Sequence, residues 1–261
     1  MSEWSSGGIY ESYVGRWSRL VAPEFVGWLE QPAGLRWLDV GCGTGALTST
    51  ILRTADPASV LGIDPSEGFI GYARQAVQDP RADFEVRSAA ELPDGPFDVV
   101  VAGLVLNFVP ERVEALRRMR EIGTTVAAYV WDYAGGMQLM RYFFDAMLDV
   151  RPQDSEHDEG RRFPFCTPEG LEDLFREAGF ADVRTREIVV PTEFGSFDDY
   201  WQPFLGGQGV APAYLRSLDP ADQEVLRDAV RARLPIEADG SIKLTARAWA
   251  VADRGADRGA G

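Results

Sequence analysis

The sequence predicts an α/β fold, a parallel sheet with crossover helices, on three observations. Apolar runs at Arg36–Val40, Val60–Ile63 and Phe97–Leu106 are separated by helical patterns, which is how a parallel sheet alternates with its crossovers. Three glycines cluster directly after the first run, where a strand must turn into a helix. With 45% hydrophobic side chains, 261 residues suffice for one sizeable core or two small ones.

The elements follow in order. Ala46–Thr54 places Leu47 and Ile51 four apart, which suits a helix packed on a sheet. Gly68–Val77 and Arg112–Arg120 read as further helices, Arg81–Arg87 as a candidate strand and Thr124–Trp131 as another, giving five strands by residue 131. Tyr133–Phe165 is an insertion with an aromatic helical start and a polar end. Pro168–Ala178 is then a helix capped by Thr167, opened by Pro168 and Glu169 and stopped by Gly179. Val183–Pro191 is a strand, Thr192–Gly240 a second insertion containing a helix at Pro220–Leu234, and Ser241–Ala252 the closing strand. The expected organisation is a helical cap over 1–32, a core over 33–132, 167–191 and 241–252, lid insertions over 133–166 and 192–240, and a frayed tail over 253–261.

Charge and composition exclude several functions. Forty-one acidic against 26 basic side chains give −15, which opposes both phosphate neutralisation and attraction to anionic lipid. Nucleic acid and membrane are therefore not expected partners. A single histidine, His157, rules out zinc sites that need two, and no metal site is expected. Cys42 and Cys166 match no ligand spacing and read as reduced thiols of a cytoplasmic protein. Neither a signal peptide nor a membrane-spanning run is recognised.

The chemistry centres on Leu38-Asp39-Val40-Gly41-Cys42-Gly43-Thr44-Gly45-Ala46. Glycines at alternate positions let the backbone approach a ligand closely, the mark of a nucleotide-binding turn. Asp64, 23 residues past Gly41, ends the second strand, where a carboxylate accepts hydrogen bonds from a ribose diol. Gly41, Gly43 and Ala46 also satisfy the loose dinucleotide pattern, so a nicotinamide or flavin enzyme is the competing reading. Charge separates the two. Asp39 would lie near a dinucleotide's pyrophosphate, and two unit charges ~5 Å apart at an effective dielectric of ~20 repel by roughly 3 kcal/mol. S-adenosylmethionine, with an ammonium, a sulfonium and no phosphate, would instead be attracted.

L-D-V-G-C-G-T-G followed by G-I-D-P-S resembles the first two motifs of class I S-adenosylmethionine-dependent methyltransferases, over roughly Trp37 to Trp131. The resemblance implies a Rossmann-like, seven-stranded, mostly parallel sheet with an antiparallel last strand, helices on both faces, and lid insertions. It implies S-adenosylmethionine as cofactor and S-adenosylhomocysteine as product. Gly41, Cys42, Gly43 and Gly45 would line the methionine and ribose portions, Asp39 would meet the ammonium, and Asp64 would hold the ribose hydroxyls. Pro65 and Ser66 would shape the turn beside adenine. Ala89, Ala90 and Glu91 resemble the adenine loop, with Ala90's backbone as the partner for the amino group. Asn107 and Phe108 would face the methyl-donor end. The family's turn before the fifth strand, a basic residue, Pro and two glycines, is shortened here to Met119–Thr124 with Gly123 alone, which reads as a trimmed surface connection.

Residues outside these motifs are candidates beside blander readings. Tyr13 and Arg16 share a helical face with Trp17 and would close over the methionine end, where a carboxylate needs a cation; packing is the other reading. Asp132 would be a base or substrate anchor, Tyr133 a substrate contact, and His157, the only imidazole, a base or a solvated loop residue. Phe194, Phe197, Tyr200, Trp201 and Phe204 read as a flap over an apolar pocket or as a core helix. The expected activity is methyl transfer to oxygen or nitrogen of a small, largely apolar molecule by in-line displacement, in a monomer or homodimer. A non-catalytic S-adenosylmethionine-binding protein and a nicotinamide-dependent oxidoreductase are the alternatives.

Overall fold

The computed structural model describes residues 16–206 and 209–253. In chain order these form α1 (Arg16–Leu29), β1 (Arg36–Val40), α2 (Ala46–Thr54), β2 (Ser59–Asp64), α3 (Glu67–Ala76), β3 (Ala82–Val86), β4 (Phe97–Gly103), α4 (Arg112–Ile122) and β5 (Gly123–Trp131). There follow α5 (Gln138–Val150), α6 (Glu159–Arg162), α7 (Pro168–Glu177), β6 (Val183–Phe194), α8 (Phe197–Leu205), α9 (Val210–Ser217), α10 (Pro220–Arg233) and β7 (Ile242–Asp253). The strands make one seven-stranded sheet in the order β3-β2-β1-β4-β5-β7-β6. Strands β1 to β5 pair in parallel and β7 runs antiparallel to β5. This is the Rossmann-like sheet expected from the motifs.

Strand sequence reflects strand position. Central β1 and β4 are buried almost throughout, as parallel strands covered on both faces must be. Edge strand β3 buries only Phe84, and edge strand β6 alternates, with Ile188, Val190, Thr192 and Phe194 buried. Strand β6 was expected to stop at Pro191 but continues to Phe194. An edge strand tolerates proline because the missing N–H faces no ladder partner.

Two further boundaries differ from expectation for local reasons. Strand β4 ends at Gly103 because Leu104 takes φ +58°, and Leu106–Phe108 then forms a 3-10 turn. Helix α4 runs directly into β5 at Gly123, which is buried. A Cβ on Gly123 would lie 2.5 Å from Val100 Cγ2 and 3.0 Å from the Met119 carbonyl. The shortened connection is exposed at Arg120, Glu121 and Thr124, as a surface connection should be, and packs closely only at Gly123.

The described residues divide into two compact units, one of residues 18–130, 165–188 and 249–253, the other of 16–17, 131–164, 189–206 and 209–248. The first unit's core joins Trp37 and Leu38 of β1 to Val99–Ala102 of β4, with Phe25 of α1 against Tyr129 of β5, ring centroids 4.6 Å apart. In the second unit Phe143 of α5 stacks on Phe204 of α8 at 4.7 Å, and Trp17 meets Phe194 edge-on at 5.6 Å. Phe194, Phe197, Tyr200, Trp201 and Phe204 are all buried. Of their two readings, core is the one they fulfil. No helix among the described residues is long and apolar enough to cross a membrane.

Candidate functional site

The glycine loop leaves β1 through a pair of amides. Gly41 and Cys42 N–H both donate to the Ile63 carbonyl, at 2.7 and 2.9 Å, which ties the turn to the end of β2. Gly41, Gly43 and Gly45 have φ of +72°, +54° and +85°, a left-handed conformation that side chains strain to adopt. Each glycine has its own neighbourhood. A Cβ on Gly41 would lie 2.4 Å from Val105 Cγ2, one on Gly45 3.1 Å from Val77 Cγ2, and one on Gly43 would meet nothing within 4 Å. Gly41 and Gly45 therefore admit protein, whereas Gly43 faces open space.

Two carboxylates flank this loop. Asp64 Oδ2 accepts from Gly43 N–H at 3.1 Å and Oδ1 from Ser66 N–H at 2.9 Å. Burial raises its pKa, and the two amides oppose that rise. Asp39, 1% exposed, accepts from the Thr48 hydroxyl at 2.7 Å on Oδ2, while Oδ1 is buried without a hydrogen-bond partner. Burial pushes Asp39 up to about 7, against the lowering effect of Thr48, and the charge of Asp64 adds to the rise. Neither carboxylate pairs with an arginine or lysine among the described residues.

The other cofactor-side candidates surround that centre. Cys42 packs its side chain into an apolar cluster with Ile70, Ala73 and Phe84, and burial raises its thiol pKa well above the ordinary value. That is an inert thiol, and the Cys42 backbone is engaged within the loop, its N–H with the Ile63 carbonyl and its carbonyl with the Gly45 N–H. Ser66 caps α3 by accepting from Phe69 N–H at 3.3 Å, next to exposed Pro65. Ala89, Ala90 and Glu91 form a turn in which Glu91 N–H donates to the Ser88 carbonyl at 3.0 Å and Arg118 donates to the Ala90 carbonyl. Asn107 is buried and Phe108 41% exposed in the turn after β4. Tyr13 lies outside the described residues, and Arg16 is described only as the backbone that opens α1.

Asp132, Tyr133 and His157 belong to the other unit. Asp132 Oδ2 accepts from Arg247 Nε at 2.8 Å and Nη2 at 2.7 Å, while Oδ1 accepts from Gly135 N–H at 3.0 Å. Its carbonyl accepts from Gly136 and Met137 N–H, so the residue ties down the turn into α5. Tyr133 is buried, its ring centroid 5.2 Å from that of Phe163. His157 ends a 3-10 turn at Pro152–His157 with its ring 4.8 Å from Tyr214, whose hydroxyl donates to Asp154 at 2.7 Å.

Sequence reasoning missed Thr48, Leu104 and Val105. Thr48 lies in the first turn of the helix that follows the loop, so helical spacing would have brought it under Asp39. Leu104 carries no glycine or asparagine to announce its left-handed backbone, and the Val105 contact with Gly41 follows from that turn.

The loop, the sheet order and the carboxylate at the end of β2 define a nucleotide-binding α/β domain of the methyltransferase type. Residues 38–123 match the family described as a methyltransferase domain. Demethylmenaquinone methyltransferase of Staphylococcus aureus is 29% identical over 173 residues, covering 60% of this chain and 72% of that protein. Two solved structures share the fold. A putative methyltransferase from Bacillus halodurans has a TM-score of 0.57 at 11% identity, covering 90% of this chain and 99% of its own. Haemonchus contortus phosphoethanolamine N-methyltransferase 2, in complex with S-adenosyl-L-methionine, has 0.56 at 16% identity, covering 95% of this chain and 57% of its own. Residues 38–123 are thus similar to a methyltransferase domain, in a fold shared with solved methyltransferases.

Proposed function

We propose that this chain transfers a methyl group from S-adenosylmethionine to oxygen or nitrogen of a small, largely apolar molecule. The observation that carries the cofactor assignment is the Asp39 carboxylate, buried beside the glycine loop with, among the described residues, one oxygen unsatisfied and no cation opposite it. A ligand with an ammonium and no phosphate fits such a site, whereas a dinucleotide's pyrophosphate would be repelled. Asp39 faces the ammonium, and the backbone of Gly41, Cys42, Gly43 and Gly45 lines the methionine and ribose, with the open side of Gly43 toward the ligand. Asp64 keeps lone pairs for the ribose hydroxyls beyond those that bind Gly43 and Ser66. Pro65, Ser66, Ala89, Ala90 and Glu91 border adenine, and Asn107 and Phe108 stand at the methyl-donor end.

S-adenosylmethionine supplies a methyl group already activated by its positive sulfur. The protein's task is placement, and in-line alignment at near-attack distance supplies most of the acceleration. Tyr133 is the proposed acceptor contact and His157 the proposed base, with Asp132 acting through the turn it holds. The similarity to a demethylmenaquinone methyltransferase favours a second reading, a quinone-like acceptor. A reduced quinone offers ring carbon as well as oxygen, so the acceptor atom would then be either. The net charge of −15 supports a partner that is neither nucleic acid nor membrane, and two free, buried cysteines support a reducing cytoplasm.

Calorimetric titration with S-adenosylmethionine, S-adenosylhomocysteine and NAD tests the cofactor, and binding of NAD alone would sink the reading. Asp64→Ala should weaken S-adenosylhomocysteine by about 1–3 kcal/mol, the cost of losing hydrogen bonds to a charged group; unchanged affinity would mean the ribose lies elsewhere. A screen of phenols, amines and reduced quinones with methyl-labelled donor, followed by the position of label in the product, decides the acceptor atom.

A further inference from the structure

After β4 the chain turns back past the glycine loop in a strained conformation. Leu104 takes φ +58°. Of the three non-glycine residues at positive φ among the described residues, Glu30 and Asp56 follow the ends of α1 and α2, where a left-handed residue is a common helix stop. Leu104 follows a strand and is aliphatic, so its backbone persists only where the surroundings over-determine it. They do so at three points. Leu104 N–H donates to the Tyr129 carbonyl of β5 at 2.8 Å. Val105 fills the space beside Gly41, where an added Cβ would lie 2.4 to 2.9 Å from its three side-chain carbons. Further along, Arg112 Nε donates to the Leu106 carbonyl in a long hydrogen bond of 3.5 Å, and its guanidinium lies 4.5 Å from the centre of the Phe165 ring. Among the described residues no carboxylate pairs with Arg112, so the turn and the ring are what it holds. All of these residues belong to the first unit.

We propose that Arg112, seated on Phe165, is a positioning residue for the methyl donor, holding the turn from Leu104 to Phe108 so that the site distinguishes the sulfonium of S-adenosylmethionine from the thioether of S-adenosylhomocysteine. This deepens the cofactor reading above and rests on it. The two ligands share the tail and the nucleoside, which the glycine loop and Asp64 meet in that reading. They differ by one methyl and one charge at the sulfur, the end where Asn107 and Phe108 stand. A turn released at Leu106 relaxes the strain at Leu104 by drawing Asn107 and Phe108 away from the sulfur. Arg112 meets the turn at the Leu106 carbonyl, so it acts on the ligand through that turn. Its charge alone would work the other way, because a cation near the donor end repels a sulfonium. Bracing and charge therefore predict opposite signs.

Calorimetric titration of the whole chain with S-adenosylmethionine and with S-adenosylhomocysteine tests this, in the wild type and in Phe165→Leu, Arg112→Gln and Arg112→Lys. Phe165→Leu keeps every charge and removes only the ring. It and Arg112→Gln should each weaken S-adenosylmethionine roughly threefold relative to S-adenosylhomocysteine, the fold-change that loss of a partly exposed cation–ring contact amounts to. Arg112→Lys can still donate to the carbonyl and sit over the ring, and should recover most of that ratio. Amide exchange at Leu104, Phe108 and Val109 should quicken in the two weakened variants. A merely structural contact would weaken both ligands alike. That outcome, or an unchanged ratio in Phe165→Leu, would overturn the proposal while leaving the cofactor reading intact. A ratio shifted toward S-adenosylmethionine in Arg112→Gln would mark Arg112 as a charge and overturn it too. Binding of neither ligand to the wild type would overturn both. Phe165→Leu and Arg112→Gln test the same contact from its two sides, so if one fails to fold the other decides.

Discussion

Asp39 and Asp132 both sit at the carboxyl ends of parallel strands, 1% and 4% exposed, and each is held differently. Asp132 is met by the Arg247 guanidinium and by the Gly135 amide, and the surrounding backbone closes on it. Asp39 is met by one hydroxyl and one amide, with an acidic neighbour and, among the described residues, no cation. Several other carboxylates of the second unit resemble Asp132. Arg141 joins Asp158 and Asp145, and Arg151 joins Asp154 and Asp222. The difference teaches how to tell a carboxylate that builds structure from one that awaits a ligand. A buried charge with its own partner holds the fold, whereas one without a partner costs stability until something arrives.

That contrast can be broken at several points. The largest effect is expected from Gly41→Ala, where a left-handed backbone and a 2.4 Å approach to Val105 coincide. Strain and overpacking together should cost about 4 kcal/mol, read as a lower urea midpoint and a loss of S-adenosylhomocysteine binding. Gly43→Ala, where the added methyl has room, should cost less stability.

Asp39→Asn should act in the opposite direction on stability. The folded-state pKa of about 7 lies above the ordinary 3.8, so the folded protein holds a proton that the unfolded chain gives up between those values. Stability from this group is therefore present in full below the unfolded value and is lost as pH rises toward the folded one. At pH ~8 the amide should stabilise the unliganded protein by roughly 3 kcal/mol, an allowance of about 1.4 per pKa unit less some lost hydrogen bonding. Urea melts at low and high pH measure it, and a variant less stable than wild type at high pH would contradict the account.

Arg247→Ala should show the cost of making Asp132 resemble Asp39. The arginine is 34% exposed, which reduces the loss below that of a fully buried pair, to about 2 kcal/mol. Its signature in hydrogen exchange should be faster loss at the Gly135, Gly136 and Met137 amides. The smallest effect is expected at Arg176, whose pairs with Glu172 and Asp173 lie on the surface of α7. Arg176→Ala should shift stability by less than about 0.5 kcal/mol, since exposed pairs gain little over water.

Much of the fold was legible because the signals were local. Apolar runs and glycine, proline and threonine at their caps located the strands and the helices of the core, including α7 between Thr167 and Gly179, but not α6 or α9 within the insertions. Legibility failed where a distant partner overrode local preference. Pro191 looked like a strand end until its edge position made the missing N–H harmless, and the close packing of Gly123 on Val100, within an otherwise exposed connection, had no local signal.

In the candidate site the division is similar. The sequence by itself determined the glycine turn and the two carboxylates, because backbone freedom and charge are properties of the residues present. Only the tertiary structure decided what each carboxylate meets. Asp132 and Arg247 are 115 positions apart and joined by folding alone. Asp39 gained Thr48 from the following helix and, among the described residues, nothing for its other oxygen. Whether a charge finds a partner depends on which side chains are brought within hydrogen-bonding distance, and chain folding sets that distance.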